Sequence, residues 1–497
     1  MSVLIVLVYF AILIAIGLLA RRRVAGSTEE FFIAGRSLGT FVNSWAFLAS
    51  LASGGSILAA TGTAVALGLP YFTALVAGAP VGFVVAAILV ARPLRRTGKF
   101  TVPDYFRLRY NNAFMRWAVP IIVVLASGAY LVAQLKGASI VGSYLLGWDI
   151  TASLWATGIV FILYVSIGGF LSVTWNDIFQ GILMFSMVAG LSVVVINAVG
   201  EPLIAFESAT TQFPTLGAVS EGVPVISYVG AFLTFATAMS VLPHVIMRVF
   251  SAKNEKSARK SLNYATLIYG TMMFLVLFVI SVGAAVLLDD IDTANPDAAF
   301  LELTDQLLPS IWQGFVVAAI LAAVMSTTAG LLHACSAAIG HDLYHRIIRP
   351  QASEREVVRV SFVATWVIGL VCIILTLNPP DLLIVLYTAA VGLLASAFFA
   401  PMVLGIWWTR ANSAGATAGM SAGAIAFGLA YFLLDLGPST EILFGLPVSF
   451  LVTIVVSLLT QRETLGDTQF DHAEPAEEKD SAPSVDRPDT APASSAP

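Results

Sequence analysis

Residues 41–69 read FVNSWAFLASLASGGSILAATGTAVALGL, an uncharged stretch long enough to cross a bilayer as a helix. Small residues crowd it, and Gly54 and Gly55 stand near its middle. A broken membrane helix is tolerated where it lines a cavity, and its freed carbonyl groups can hold a cation. The stretch predicts either such an interrupted helix or, equally well, close packing of small residues against a neighbouring helix.

A second stretch, 225–249, has similar features. It contains Gly230 and, near its end, Pro243, which removes a backbone donor from a helix. The two stretches lie five spans apart along the chain. This spacing is what corresponding members of two five-helix repeats would show.

The composition predicts an all-α polytopic membrane protein. Of the 497 residues, 58% are hydrophobic and only 11% are charged, whereas a soluble domain has about 25% charged residues. Apolar runs of about 20 residues recur along most of the length. The thirteen predicted spans are 2–21, 41–67, 71–91, 114–146, 150–171, 177–199, 225–249, 261–288, 310–338, 357–377, 381–408, 413–434 and 442–460.

The charge distribution predicts the direction of these spans. The first span has no basic residue ahead of it and is followed by Arg21, Arg22 and Arg23, which favours a retained helix with an outer N-terminus. The loops 200–224 and 289–309 contain acidic residues but no Lys or Arg. Because basic residues collect in cytoplasmic loops, we expect an inner-membrane protein with a cytoplasmic C-terminus.

Further features of the sequence concern its tail, its cysteines and its possible partners. Residues 461–497 are rich in Pro, Ala, Ser and acids, which predicts a disordered cytoplasmic tail. The two cysteines, Cys335 and Cys372, fall in apolar stretches and are expected to be core residues rather than a disulfide. No basic stretch is interleaved with aromatic residues, so nucleic acid is not an expected partner.

Six stretches carry more specific patterns, in a fixed order. They are TEEFFIAGRSLG (28–39), TVPDYFRLRY (101–110), GGFLSVTWNDIFQG (168–181), PHVIMRVF (243–250), AAILAAVMSTTAGLL (318–332) followed by HDLY (341–344), and SAFFAPMVLGIWWTRANSAGATAGM (396–420). With these stretches the chain resembles the sodium:solute symporter family over nearly all of 1–460. The resemblance implies sodium-driven uptake of a small organic solute, with sodium as the co-transported ion.

The same resemblance implies the leucine-transporter fold, which has two inverted five-helix repeats after one leading helix. The broken helices of that fold would be the second and seventh spans, the two that the residues themselves indicate. The implied parts are a symporter domain 1–460 with leading helix 2–21, repeat one about 41–199, repeat two about 225–408, and extra helices 413–460.

Family members hold one sodium ion with carbonyl and hydroxyl oxygens of the first broken helix and the ninth span. Carried onto this sequence, the hydroxyls are those of Ser326 and Thr327, which share one helix face with the carbonyl of Ala323. The two remaining carbonyls fall on Ala49 and Ala52. Without the resemblance, a Ser-Thr pair in an apolar helix more often bonds to its own backbone.

Some members have a second sodium site, which includes a carboxylate at the start of the sixth span. Asp177 matches that carboxylate, and Ser53 and Ser56 could contribute, but Ala329 and Gly330 stand where hydroxyls are needed. The sequence therefore predicts one sodium per solute. Asp177 is expected to act in the inner exit path or at a gate rather than as a complete second cation site.

The solute is expected to be an anion. Lys136 lies about ten residues, or about 15 Å, from the outer end of the fourth span. A cation at that depth is costly unless it is paired or faces a polar cavity. Attraction of an anionic solute and pairing with a neighbouring helix are both open for Lys136. Gln134 lies on a different helix face, so the two side chains cannot point the same way.

Subfamily features narrow the solute class. The stretches LPHVIMRVF (242–250) and SARKS (257–261) resemble acetate and monocarboxylate permeases most closely. Proline carriers have Trp and Tyr at the positions of Phe235 and Met239, and Asp at that of Leu51. A monocarboxylate such as acetate or pyruvate is therefore predicted. The predicted solute-site residues are Lys136, Ser50, Ser53, Phe47, Tyr130, Phe235 and Met239.

Other solutes and other classes of protein remain alternatives. Pantothenate is also a carboxylate, and its carriers share much of this pattern, while a proline-type amino-acid symporter is a further alternative. A membrane sensor module or an ion channel would belong to a different class. The sequence has no nucleophile–base set, metal cluster or phosphate loop, so we do not expect an enzyme.

Overall fold

The computed structural model describes residues 2–21, 27–219, 223–288, 291, 298–378, 383–434 and 436–460. Within these ranges the chain is almost entirely helical. Among the described residues, eleven helices are long and apolar enough to cross a membrane. A shorter apolar helix, Ile150–Ser166, and an interrupted helix at 40–67 complete the thirteen predicted spans. The predicted tail, 461–497, lies outside the described residues.

Fourteen labels cover these spans, because the second and seventh spans each consist of two helices and α6 covers two spans. The helices are α1 (Ser2–Arg21), α2 (Thr40–Leu51), α3 (Gly54–Leu67), α4 (Leu69–Leu89), α5 (Ala113–Leu146), α6 (Ile150–Val199), α7 (Val225–Ala238), α8 (Pro243–Ser251), α9 (Glu255–Leu287), α10 (Ser310–Ile348), α11 (Glu354–Leu375), α12 (Leu383–Trp407), α13 (Ser413–Leu433) and α14 (Ile442–Leu459). Shorter helices between them are Thr28–Ile33, Ala91–Arg96, Val102–Tyr110, Pro202–Gln212, Pro214–Gly217 and Ala299–Leu307. The boundaries of the two predicted repeats stay a prediction.

The fifth and sixth spans join differently from the prediction. The sequence placed a loop at 172–176, but these residues are helical and the bend falls at Gly169. Its φ of 60° lies in the left-handed region, which glycine adopts without strain. A Cβ atom at Gly169 would lie 2.8 Å from Phe31 Cδ2, so the close approach of the chain also requires glycine.

Helix α10 forms the centre of the bundle. Every residue from 316 to 337 is buried, and α10 packs against α1, α2, α5 and α6. The outer helices α1, α13 and α14 instead expose large apolar side chains, as expected for lipid contact. Cys335 on α10 and Cys372 on α11 are both buried and unbridged, as the sequence predicts.

Basic side chains collect at one end of the bundle, which we call the basic end. It is formed by Ala91–Arg96, Val102–Tyr110, the ends of α8 and α10, and the starts of α9 and α11. Some of these basic side chains form ion pairs. Glu255 accepts from Arg92 Nε at 2.7 Å and from Arg96 Nε at 2.6 Å.

Candidate sodium and solute site

The second span, 40–67, is interrupted near its middle. Helix α2 ends at Leu51, Ala52 and Ser53 have extended backbone, and α3 begins at Gly54. The backbone N–H of Ser53 donates to Ser56 Oγ at 2.7 Å, and Ser56 N–H donates to Ser53 Oγ at 3.2 Å. This reciprocal capping box starts α3 without help from α2.

The interruption deprives carbonyl groups of α2 of their helical donors. Because Ser53 N–H donates to its capping partner, the carbonyl of Ala49 loses the bond that a continuous helix would give it. Gly54 N–H donates to Gln134 Oε1 on α5 at 3.2 Å, so the carbonyl of Ser50 loses its helical donor as well. Buried carbonyl groups of this kind need other partners.

Two hydroxyl groups of α10 supply those partners. Ser326 Oγ donates to the carbonyl oxygen of Ala49 at 2.7 Å. Thr327 Oγ1 lies 3.3 Å from the carbonyl oxygen of Ser50 and 3.5 Å from that of Ala52. Three backbone oxygens and two hydroxyl oxygens therefore converge where α2 breaks against α10.

The structure brings the five predicted sodium residues together at this point. Ser326 Oγ also lies 3.1 Å from the carbonyl oxygen of Ala323, the third predicted backbone ligand. All of these residues are fully buried, so a cation here would be shielded from water. Because a hydroxyl group can rotate, it can turn its lone pairs toward a cation without moving the helix. The chemistry of the oxygen set fits sodium. The five-oxygen cluster is defined by the carbonyl oxygens of Ala49, Ala52 and Ala323 and the hydroxyl oxygens of Ser326 and Thr327, and the carbonyl oxygen of Ser50 lies beside it.

The seventh span is interrupted as well, but its break is closed by backbone turns. Helix α7 ends at Ala238, and α8 begins at Pro243. The N–H groups of Val241 and Leu242 both lie 2.8 Å from the carbonyl oxygen of Ala238. Proline has no N–H group with which to continue the helix, so Pro243 ends this turn and starts α8.

A small enclosed cavity adjoins the first break. Its volume of about 10 Å³ is close to the about 10–15 Å³ that one water molecule needs. Entry of any organic solute therefore requires the surrounding helices to separate. The residues that line the cavity are Leu51, Ser53, Ser56, Leu75, Val76, Ala79, Tyr130, Phe235, Tyr269 and Tyr387.

Three of the predicted solute residues, Ser53, Tyr130 and Phe235, line this cavity. Tyr269 and Tyr387 were missed. The Tyr387 ring stacks on Tyr130 at 5.6 Å between centroids and meets Phe235 edge-on at 6.0 Å. A single tyrosine in an apolar helix carries no sequence signal that separates a cavity wall from ordinary core packing.

Three other predicted solute residues are buried away from the cavity. The Phe47 ring packs edge-on against Phe83 at 6.0 Å. Met239 lies against α4, so close that a Cβ atom at Gly82 would be 2.7 Å from Met239 Cγ. Ser50 places its side chain against Arg248.

Gln134 and Lys136 lie on different faces of α5, as predicted. Gln134 is the one that faces the interior: it is buried, and its Nε2 atom has no hydrogen-bond partner among the described residues. Lys136 is half-buried and is absent from the cavity lining. The polar side chain that reaches the first break from α5 is therefore Gln134, and a role of Lys136 toward the solute stays a prediction.

Asp177 forms an ion pair that the sequence analysis missed. It bonds to the guanidinium group of Arg248 on α8, and both side chains are completely buried. The same guanidinium group bonds to Ser50 Oγ on α2 and lies 5.3 Å from the centre of the Phe170 ring. Arg248 thus connects α6, α8 and the broken helix α2. A carboxylate paired in this way has less capacity to hold a second cation.

A further buried charge cluster lies at the basic end. His341 Nε2 is 3.0 Å from Asp104 Oδ2, and Thr101 Oγ1 donates to Asp342 Oδ1 at 2.8 Å. Burial raises the pKa of Asp104, but the charges of His341, Arg346 and Arg107 outweigh it and hold the pKa below its ordinary value. The two arginines supply positive charge that a bound metal would otherwise supply, which favours a structural tie between Val102–Tyr110 and α10.

Comparison with known proteins adds the family. Residues 31–423 match the sodium:solute symporter family, which is most of the chain. An osmoregulated proline transporter of Bacillus subtilis is 27% identical, with 92% of this chain and 94% of that protein covered. A monocarboxylic acid transporter of Corynebacterium glutamicum is 30% identical, with 85% of this chain and 82% of that protein covered.

Solved structures show the same fold. A sodium-coupled sialic acid symporter in an outward-open state superimposes with a TM-score of 0.78 at 16% identity, covering 93% of this chain and 98% of that one. MhsT in complex with L-phenylalanine gives a TM-score of 0.55 at 13% identity, with 84% and 97% covered. These neighbours have the leucine-transporter fold. The described residues of this chain fit that fold with thirteen spans, two of which are interrupted. The chain is a multi-pass membrane protein that belongs to the sodium:solute symporter family.

Proposed function

We propose that this protein takes up a small monocarboxylate, such as acetate or pyruvate, together with one sodium ion. The observation that carries the proposal is the pairing of a buried five-oxygen cluster with an adjoining cavity whose described lining residues include no charged side chain. The oxygen cluster suits sodium. The cavity suits a small solute that is largely apolar and has one polar end.

The polar end of the cavity lies at the start of α3. Ser53 and Ser56 line it, and α3 begins there with the positive end of its helix dipole. The N-terminus of a half-helix favours an anionic group of the solute. Gln134, which already touches the backbone at Gly54, adds a buried amide donor. A carboxylate placed here would leave its methyl or keto group against the apolar wall.

One sodium per solute and the membrane orientation are part of the proposal. Asp177 is engaged by Arg248, and Ala329 and Gly330 offer no side-chain oxygen for a second cation. The basic end would face the cytoplasm, since positive charge is retained on that side. The N-terminus would then lie outside and the C-terminus inside.

Proline is the principal alternative solute, because one relative is named as a proline transporter. An amino acid carries an ammonium group as well as a carboxylate. Among the described residues, the cavity lining has no acidic side chain to neutralise that group. Pantothenate is the second alternative, and it would require a much larger opening of a cavity that now has room for about one water molecule.

The test is uptake of labelled acetate and pyruvate by proteoliposomes, with and without an inward sodium gradient. Sodium-dependent accumulation above the equilibrium level, with a Hill coefficient for sodium near one, is expected. Collapse of the gradient with a sodium ionophore should abolish it. Accumulation of proline or pantothenate in place of both monocarboxylates would remove the proposed solute class, and a Hill coefficient near two would remove the stoichiometry.

A further inference from the structure

Two surface features meet on α9 at the basic end. The first is a polar pocket that contains four basic side chains and one acid. The acid, Glu255, is already bound by Arg92 and by Arg96. The pocket as a whole is lined by Arg92, Glu255, Lys256, Arg259, Lys260 and Asn263.

The remaining basic residues carry uncompensated charge. Lys256, Arg259 and Lys260 lie at positions i, i+3 and i+4, so they share one face of α9, and all three are exposed. Within the described part of the chain, no acidic side chain lies within 4.0 Å of any of them. This face therefore offers a site for a negatively charged group.

The second feature is an apolar groove that starts at Lys260 and runs away from the basic end between α9 and α2. Phe41 and Tyr264 are 67% and 52% exposed in it, so large rings line an open surface. From Lys260 to Ile268 the groove extends eight residues, or about 12 Å along the helix. Its volume is about 510 Å³, and it is lined by Thr40, Phe41, Ser44, Trp45, Lys260, Tyr264 and Ile268.

Together the two features fit an amphiphile, because Lys260 belongs to both. We propose that they bind one anionic phospholipid from the leaflet at the basic end. Its phosphate contacts Lys256, Arg259 and Lys260, and one acyl chain lies in the groove. Along the site, basic side chains come first, then tryptophan and tyrosine, then an aliphatic side chain. Membrane proteins present side chains in this order to lipid headgroups, the interface and the acyl chains.

The site touches the helix that carries the sodium carbonyls. Thr40 begins α2, and its Oγ1 atom lies 3.0 Å from Ser257 Oγ at the start of α9. Ser261 Oγ lies 3.3 Å from the carbonyl oxygen of Thr40. A lipid bound across α2 and α9 stabilises the arrangement in which these contacts are made. Lipid binding does not depend on which solute is carried.

The experiment is native mass spectrometry of the full chain in neutral detergent. It is titrated with phosphatidylglycerol or with phosphatidylcholine of the same acyl chains. One phosphatidylglycerol should bind at least tenfold more tightly than phosphatidylcholine. In R259Q/K260Q the affinity for phosphatidylglycerol should fall roughly 30-fold, because each basic residue near a membrane surface contributes about fivefold. The matched control, R355Q/R359Q, removes two exposed charges from the start of α11 at the same end and should change it less than twofold.

A second pair of variants tests the groove without changing charge. Ile268→Trp fills the groove and should weaken phosphatidylglycerol binding about tenfold, whereas Leu267→Trp, on the neighbouring lipid-exposed position, should leave it unchanged. Equal binding of the two lipids, or equal losses in both double variants, would overturn the proposal. Competition by millimolar inorganic phosphate, with no effect of Ile268→Trp, would also overturn it, in favour of a soluble-phosphate site.

Discussion

The two interrupted spans solve the same backbone problem in different ways. At the first break the carbonyl groups of Ala49 and Ser50 are left to side chains of another helix, Ser326 and Thr327. At the second break the freed N–H groups fold back onto Ala238 within the same segment. One interruption therefore exposes oxygen ligands, and the other produces a tight turn.

The difference teaches that a broken helix is not by itself a binding site. What distinguishes the first break is the capping box, which starts α3 independently and diverts the N–H group of Ser53 from Ala49. At the second break the diverted N–H groups of Ser240 and Val241 bond to Thr237 and Ala238 of the same turn, which Pro243 ends. Arg248, at the far end of α8, connects the two breaks through its bond to Ser50.

The largest effect is expected where the two breaks are connected. Arg248→Gln leaves Asp177 buried without its charged partner, and removal of one member of a buried ion pair destabilises proteins by about 3–5 kcal/mol. We expect the free energy of unfolding in detergent to fall by that order. Chemical unfolding of the purified variant, followed by tryptophan fluorescence, measures it.

The double variant Asp177→Asn/Arg248→Gln is the control for this prediction. It removes both charges, so it should recover much of the stability that the single variant loses. If the double variant lost as much stability as Asp177→Asn and Arg248→Gln lose together, the two residues would not act as a pair. The two breaks would then be independent in energy.

An intermediate effect is expected at the first break itself. Ser326→Ala and Thr327→Ala each remove one hydroxyl oxygen from the five-oxygen cluster. A hydrogen bond or ligand contact to a charge contributes about 1.5–3 kcal/mol, so half-maximal activation should require about 10–100-fold more sodium. Sodium titration of solute uptake measures this shift.

Ser336→Ala supplies a matched control on the same helix. Ser336 is also buried, but its hydroxyl group bonds to the carbonyl of His333 within α10. Its removal should leave sodium activation unchanged. If Ser326→Ala and Thr327→Ala both retained the original sodium dependence, the oxygen cluster would not be the sodium site.

The smallest effect is expected at the second break. Pro243→Ala restores an N–H group at the start of α8 and increases the conformational entropy of the unfolded chain. The free energy of unfolding should change by about 0.4–1 kcal/mol. Sodium activation should remain as it is. A shift in sodium activation as large as that of Thr327→Ala would mean that the second break also takes part in ion binding.

The sequence predicted the fold well because the spans depend on local pattern, whereas the assignment of the oxygen cluster to sodium stays a prediction. The spans follow from runs of apolar residues, whereas the sodium residues were implied by the resemblance, and helix spacing adds only that Ala323, Ser326 and Thr327 share one face. The pairing of those residues with Ala49 and Ala52 came from the resemblance to the family. Nothing within one helix could have indicated it.

The parts that were missed depend on which way a helix faces. In a membrane protein the lipid is as apolar as the interior, so hydrophobic periodicity does not reveal the inward side. On α5, for example, the sequence did not indicate that the buried side chain at the first break is Gln134, while a role of Lys136 toward the solute stays a prediction. The bond between Asp177 and Arg248 joins residues 71 positions apart, and nothing in the sequence around either residue indicates the other.

The two native thiols have a practical consequence for spectroscopy. Cys335 and Cys372 are the only cysteines in the chain, and both are enclosed by neighbouring helices. A maleimide or nitroxide reagent applied to the folded protein should therefore leave them unmodified. The natural sequence can therefore serve as the background for labelling without replacement of either cysteine. Single cysteines introduced at exposed positions such as Lys253 and Phe41 could then carry labels that follow the helices through a transport cycle.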